Sequence, residues 1–180
     1  MTDQTFSLIP FPDTKIPEIQ ITGKVSRNAN LLTVLYFLTG NTSNVLLPEA
    51  YTQPQRKDDL WKTTCFEFFM ALPNHAQYWE FNMSPSGDWN VYHMDAYRRI
   101  GLREESAISQ LPFLFQNQME SISLEITVDL NSIITLRSPI HMGITSVIET
   151  DDGHETYWAL THPGTQPDFH LRESFILTVA

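Results

Sequence analysis

The sequence predicts an all-β fold: an antiparallel sandwich of two sheets joined by long loops. Three observations carry this expectation. Most apolar segments are short, rich in β-branched and aromatic residues, and bounded by Gly, Pro, Asn or Asp. Several alternate with period two, most clearly Ile122, Leu124, Ile126 and Val128, then Ile140, Met142, Ile144, Ser146 and Ile148, and such alternation places one set of side chains on one face. Helical signals are confined to 129–134, where Asp129 is suited to capping a short helix or turn.

Strands are expected near 6–9, 18–26, 30–39, 62–71, 77–84, 88–94, 121–128, 139–149, 154–161 and 173–179. Asp151, Asp152 and Gly153 form a hairpin signal, with Gly153 free to take positive φ. Pro48 and Pro54 mark a long loop over 40–59, and a second irregular stretch is expected over 100–119. Nothing resembles a repeat, a low-complexity tract or a linker, so residues 1–180 are expected to form a single domain. A chain of 180 residues with 42% hydrophobic and 18% charged residues is long and apolar enough to bury its own core.

The charge balance, 11 basic against 21 acidic residues for a net −10, argues against nucleic acid and anionic membrane as partners, since no run of Lys and Arg exceeds two. No apolar run approaches the roughly 18–20 residues of a membrane span. Cys65 is the only cysteine, which excludes an intrachain disulfide. The N-terminus has neither a basic segment nor an uninterrupted apolar one, and a cytoplasmic location is expected.

The chemistry concentrates in 56–97, where two strand-like segments, KTTCFEFFM and QYWEFNM, each carry a carboxylate among aromatics. A mid-strand glutamate is costly to bury and needs a polar face, a partner or a ligand. Parity puts Thr64, Phe66, Phe68 and Met70 opposite Cys65, Glu67 and Phe69, and Trp79, Phe81 and Met83 opposite Tyr78, Glu80 and Asn82. If the strands pair, Glu67, Glu80 and Asn82 share one surface, joined by Ser123, Glu125, Thr127, His141, Thr145 and Glu149 from other strands. Such a face is either the solvated side of a sheet or a binding surface. Its aromatic content favours the second reading, because Tyr78 and Phe69 lie on it and the adjoining loops supply Trp61, Trp89 and His162. Flat rings beside carboxylates and amides suit a saccharide, whose C–H faces stack on the rings while its hydroxyls donate to the oxygens. The candidate ligand-binding set is therefore Trp61, Glu67, Tyr78, Glu80, Asn82, Trp89, Glu149 and His162, with a small molecule or saccharide as partner.

No catalytic or metal-binding residue is assigned. His154, His162 and His170 recur at a spacing that matches no compact metal motif. Glu67 and Glu80 on adjacent strands meet the loose spacing requirement of a glycosidase carboxylate pair, which leaves a glycan-processing enzyme as an alternative. No nucleophile elbow, P-loop, dinucleotide fingerprint or zincin motif is present.

The segment RKDDLWKTTCFEFFMALPNHAQYWEFNMSPSGDWNVYHMDAYRRIG, together with VIETDDGHETYWALTHPGTQPDFHLRESFILTV, resembles the DOMON-like proteins related to family 9 carbohydrate-binding modules. The shared pattern is a tryptophan before a Cys-x-Glu-x-Phe strand, a Tyr-x-Glu-Phe-Asn strand, and a late Trp-Ala-Leu strand ahead of Pro-Asp-Phe-His. The resemblance implies a jelly-roll-like sandwich with a ligand site on one sheet or at its rim, and binding in place of catalysis. It implies a sugar ligand or, in some branches, haem, for which Met83 or Met94 with His162 or His170 would be the pair of ligands. Trp61 matches one of the two tryptophans that clamp a terminal sugar in the carbohydrate-binding modules; the second has no loop counterpart, since Trp158 falls on a strand.

Overall fold

The structure, a computed structural model, describes residues 2–13, 15–98, 100–134 and 138–180. In chain order the strands are β1 (Thr2–Ser7), β2 (Ile9–Pro10), β3 (Ile19–Asn28), β4 (Leu31–Gly40), β5 (Cys65–Ala71), β6 (Tyr78–Met83), β7 (Trp89–Met94), β8 (Arg103–Glu104), β9 (Phe113–Gln118), β10 (Ser121–Asp129), β11 (Ile140–Glu149), β12 (Glu155–Ala159) and β13 (Leu177–Val179). They form two antiparallel sheets, one of five strands in the order β1-β3-β4-β10-β9 and one of eight in the order β2-β12-β11-β5-β6-β7-β8, with β13 added beside β11. This is the all-β sandwich that the alternation predicts.

The five-stranded sheet has one buried face. Ile21 and Val25 of β3, Val34, Tyr36 and Leu38 of β4, and Leu124 and Ile126 of β10 point inward and are buried. The opposite positions are polar or at least partly exposed, and Thr33 and Thr127 face each other across β4 and β10 with their hydroxyls 2.9 Å apart. The eight-stranded sheet supplies the other half of the core through Phe66, Phe68, Met70, Phe81 and Ile144. Phe68 and Phe81 stack at 4.3 Å between ring centroids. Tyr36 crosses the core to tie the sheets together, its hydroxyl donating to the Glu67 carbonyl at 2.6 Å.

The turn after β11 is the expected hairpin: Gly153 has φ +76° and its N–H donates to the Thr150 carbonyl at 2.8 Å. The Asp129 side chain caps the 3-10 turn Leu130–Ser132 by accepting from the Asn131 N–H at 3.0 Å.

Four expectations are corrected. The first strand is longer and splits into β1 and β2. The last shortens to β13, because a 3-10 turn occupies Arg172–Ser174. Within 100–119 the chain forms β9 on the edge of the five-stranded sheet; its half-exposed Phe113-Leu114-Phe115 alternation is too short to stand out before the polar residues that follow. Finally, β10 belongs to the five-stranded sheet, so Ser123, Glu125 and Thr127 do not share a face with Glu67.

Candidate functional site

β5 pairs with both β6 and β11, placing Asn82 on one side of Glu67 and Thr145 on the other. Glu80 lies between Phe69 of β5 and Tyr92 of β7. These residues occupy the side of the eight-stranded sheet that faces away from the core. That side is not open to water: Glu67 is only 2% exposed and Glu80 7%. The C-terminal segment covers it, with His170 edge-on to Phe69 at 5.3 Å and Phe175 packed on both Phe69 and Tyr78. Gly143 makes room for this cover, since a Cβ there would meet the Phe175 ring at 3.0 Å. Between sheet and cover lies a cavity of about 810 Å³, within the size range of small-ligand sites.

The floor of the cavity is formed by Glu67, Phe69, Glu80 and Val147 of the sheet. Thr145 Oγ1 lies 3.3 Å from Glu67 Oε2, while Glu67 Oε1 has no hydrogen-bond partner among the described residues. Burial and then the neighbouring Glu80 push the Glu67 carboxyl well above the ordinary carboxylate range. The Cys65 thiol is raised for the same reasons, burial first and then the two glutamates. Glu80 is held by Asn82, whose side-chain N–H donates to Glu80 Oε1 at 2.8 Å.

One wall is the loop before β5. Arg56 fixes this loop: it donates to Asn90 Oδ1 at 2.8 Å and to the carbonyls of Val91, Glu105 and Ile108, and its guanidinium lies 4.4 Å from the Trp89 ring centroid. The carboxylate of Asp58 is then held against β7, accepting from the Tyr92 hydroxyl at 2.5 Å and from the Asn90 amide at 3.1 Å. Burial, followed by Asp58, raises the Tyr92 phenol far above its usual value. Asp59 adopts φ +62° and starts the 3-10 turn Leu60–Lys62, which presents Trp61 to the cavity, the residue being 38% exposed.

The opposite wall comes from β12 and the C-terminal segment. Tyr157 donates to Glu155 at 2.8 Å and meets Phe169 edge-on at 6.1 Å between centroids. Burial and then Glu155 push the Tyr157 phenol to about 12. Asp168 accepts from the Tyr97 hydroxyl at 2.6 Å and pairs with Arg98 at 3.1 Å. Although burial opposes ionisation, these donors and the His170 N–H hold the Asp168 carboxyl below its ordinary value.

Of the eight residues singled out in the sequence, Trp61, Glu67 and Glu80 line the cavity. Tyr78 and Asn82 sit just behind its surface, Tyr78 through a 2.9 Å hydrogen bond with His170 Nδ1 and Asn82 through Glu80. The other three lie elsewhere. Trp89 is the first residue of β7 and shares the parity of Val91, so its ring enters the core between the sheets instead of a loop. Glu149 ends β11 opposite Glu155, away from the cavity lining. His162 bonds to the Ile9 carbonyl at 2.9 Å and packs on Phe11. Met83 is in the core and Met94 in the cluster under Phe175, and neither lines the cavity, whereas His170 does. Among the described residues no three His, Cys, Asp or Glu side chains converge as a metal site. The residues missed by pattern were Tyr92 and Tyr157, which lie directly across from Glu80 and Val147 in the strand registers, together with the covering Asp168 and Phe169.

No family model and no curated protein matches the chain. Solved structures do share its fold. A crystal structure from Bacteroides uniformis, of a protein provisionally described as carbohydrate-binding, superposes with a TM-score of 0.71 at 13% identity, covering 99% of this chain and 85% of that one. A family 9 carbohydrate-binding module from Caldicellulosiruptor kristjanssonii, in complex with glucose, superposes with a TM-score of 0.53 at 11% identity, covering 92% of this chain and 78% of that one.

Proposed function

We propose that the chain is a non-catalytic binding domain of the DOMON-like type, and that its covered cavity holds a saccharide. One observation carries this reading: a cavity of about 810 Å³ combines a partly exposed Trp61 ring, the Tyr157 and Phe169 rings opposite, and the carboxylates of Asp58, Asp59 and Glu80. A pyranose presents C–H faces and a rim of hydroxyl donors, and this lining offers rings for the first and acceptors for the second. The fold likeness to a glucose-bound carbohydrate-binding module supports the assignment at the level of architecture.

Binding suits the cavity better than glycan hydrolysis. Glu80 is engaged by the Asn82 amide, and Glu67 is buried beside Thr145 and Cys65. Isothermal titration with glucose, glucosamine and their oligomers tests the proposal. Saccharide binding is expected, and Trp61→Ala should weaken it by about tenfold or more, the scale of losing one aromatic stacking contact. Equal binding by parent and Trp61→Ala would remove Trp61 from the site. Release of new reducing ends that disappears in Glu67→Gln would replace the binding reading with an enzymatic one. A Soret band on addition of haem would replace it with the haem reading.

A further inference from the structure

The charged groups of the cavity are one-sided. Asp58, Asp59, Glu67, Glu80 and Asp168 reach it, against Arg98 on its wall, with the Gln166 amide and the His170 ring beside them; Lys62, outside the lining, pairs with Asp59 at 2.7 Å. Arg98 is paired with Asp168 at 3.1 Å, on the covering segment. The wall's hydroxyl donors are also committed to protein carboxylates, Tyr92 to Asp58 at 2.5 Å and Tyr157 to Glu155 at 2.8 Å. A wholly neutral sugar would be served by a mixture of donors and acceptors, because each hydroxyl does both.

A second observation is independent of this charge count. Glu67 is 2% exposed, reaches the cavity floor, and has its Oε1 without a hydrogen-bond donor from the protein. Buried carboxylate oxygens are normally satisfied, and an orphaned one beside a second glutamate marks a place for a donor that also carries positive charge. An ammonium group has three N–H donors, no acceptor and a full charge. Placed over the floor, it would satisfy Glu67 and favour its ionised form beside Glu80, which burial otherwise disfavours.

We infer that the cavity selects amino-bearing saccharides, with the sugar ring against Trp61 and its ammonium directed to the Glu67–Glu80 floor. This inference rests on the saccharide-binding reading above and deepens it. It places the selectivity in β5 and β6 and the general affinity in the loop that carries Trp61.

The experiment is calorimetric titration of the parent with glucosamine, glucose and N-acetylglucosamine at neutral pH, in low and high salt. Glucosamine should bind about tenfold or more tightly than the other two at low salt, and raised salt should narrow the gap, because the preference is electrostatic. N-acetylglucosamine has the same ring and a larger 2-substituent without the charge, so it isolates the ammonium. In Glu67→Gln the ratio of glucosamine to glucose affinity should fall to within about twofold, the carboxylate being the feature removed. If glucose binds the parent as tightly as glucosamine, the inference falls while the saccharide reading stands. If the preference persists in Glu67→Gln, the inference falls because the floor is not its source. If no saccharide binds the parent, both fall. Circular dichroism of Glu67→Gln confirms that the variant is folded, and the comparison within the parent stands without it.

Discussion

The two sheets of this sandwich bury their strands in different ways. In the five-stranded sheet β3, β4 and β10 each have a dry face and a wetter one, and β10 reads ISLEITV with apolar residues at every second position. In the eight-stranded sheet, every residue of β5 and of β6 is buried. Its core side is apolar, yet its other side carries Glu67, Glu80 and Asn82 alongside Phe69 and Tyr78. A strand that hides both faces without making both apolar bears a desolvation cost that the five-stranded sheet avoids. That cost is concentrated where the cavity is. The difference teaches that the polar floor is held in place by the fold around it and costs stability instead of adding to it.

Substitutions separate the two roles, beginning with the core side of the eight-stranded sheet. Phe81→Ala should cost about 3–5 kcal/mol in urea unfolding, because it removes a fully buried ring stacked on Phe68. Arg56→Lys should cost about 2 kcal/mol, since an ammonium cannot span the several carbonyls and the Trp89 ring that the guanidinium engages. The floor should behave in the opposite sense. Burial and Glu80 raise the Glu67 carboxyl in the folded state, and Cys65 and Thr145 are its other close neighbours. The unfolded chain therefore loses this proton first as pH rises. The contribution of Glu67 to stability should decline from the ordinary carboxylate range up to the raised folded value and level off above it. Thermal unfolding of Glu67→Gln should lack this contribution, so the variant gains on the parent as pH rises from mildly acidic values. Parent and variant stabilities that run parallel over that interval would contradict the raised carboxyl of Glu67. At the small end, Lys24→Ala on the wet side of the five-stranded sheet should cost about 0.5 kcal/mol or less, since its pair with Asp3 is exposed on both sides.

The same contrast explains what the sequence disclosed. Alternation in β10 and β11 announced the sandwich, and in β10 it arises because water on one face forces polar residues onto it. In β5 and β6 the polarity contrast is weak, yet parity still brought Glu67, Glu80 and Asn82 to one side, as their pairing confirms. The same rule applied to β7 sends Trp89 to the core with Val91 and brings Tyr92 beside Glu80, while the turn residues 84–88 just before it give Trp89 the look of a loop residue. The cover is another matter. Residues 161–176 form loop and 3-10 turn with no periodic signal, and their contribution of Asp168, Phe169 and His170 depends on contacts distant in sequence. Membership of β10 in the other sheet is likewise a matter of topology, which a strand's own residues do not encode.

Trp61 differs from the other tryptophans in a way that reaches beyond recognition. Trp79, Trp89 and Trp158 are 7%, 6% and 3% exposed, whereas Trp61 is 38% exposed. Its indole alone is open to collisional quenching by acrylamide or iodide, and its emission should lie to the red of the three enclosed ones. The quenchable fraction of the intrinsic fluorescence therefore reports on a single residue of the cavity lining, an optical probe of that wall that needs no label.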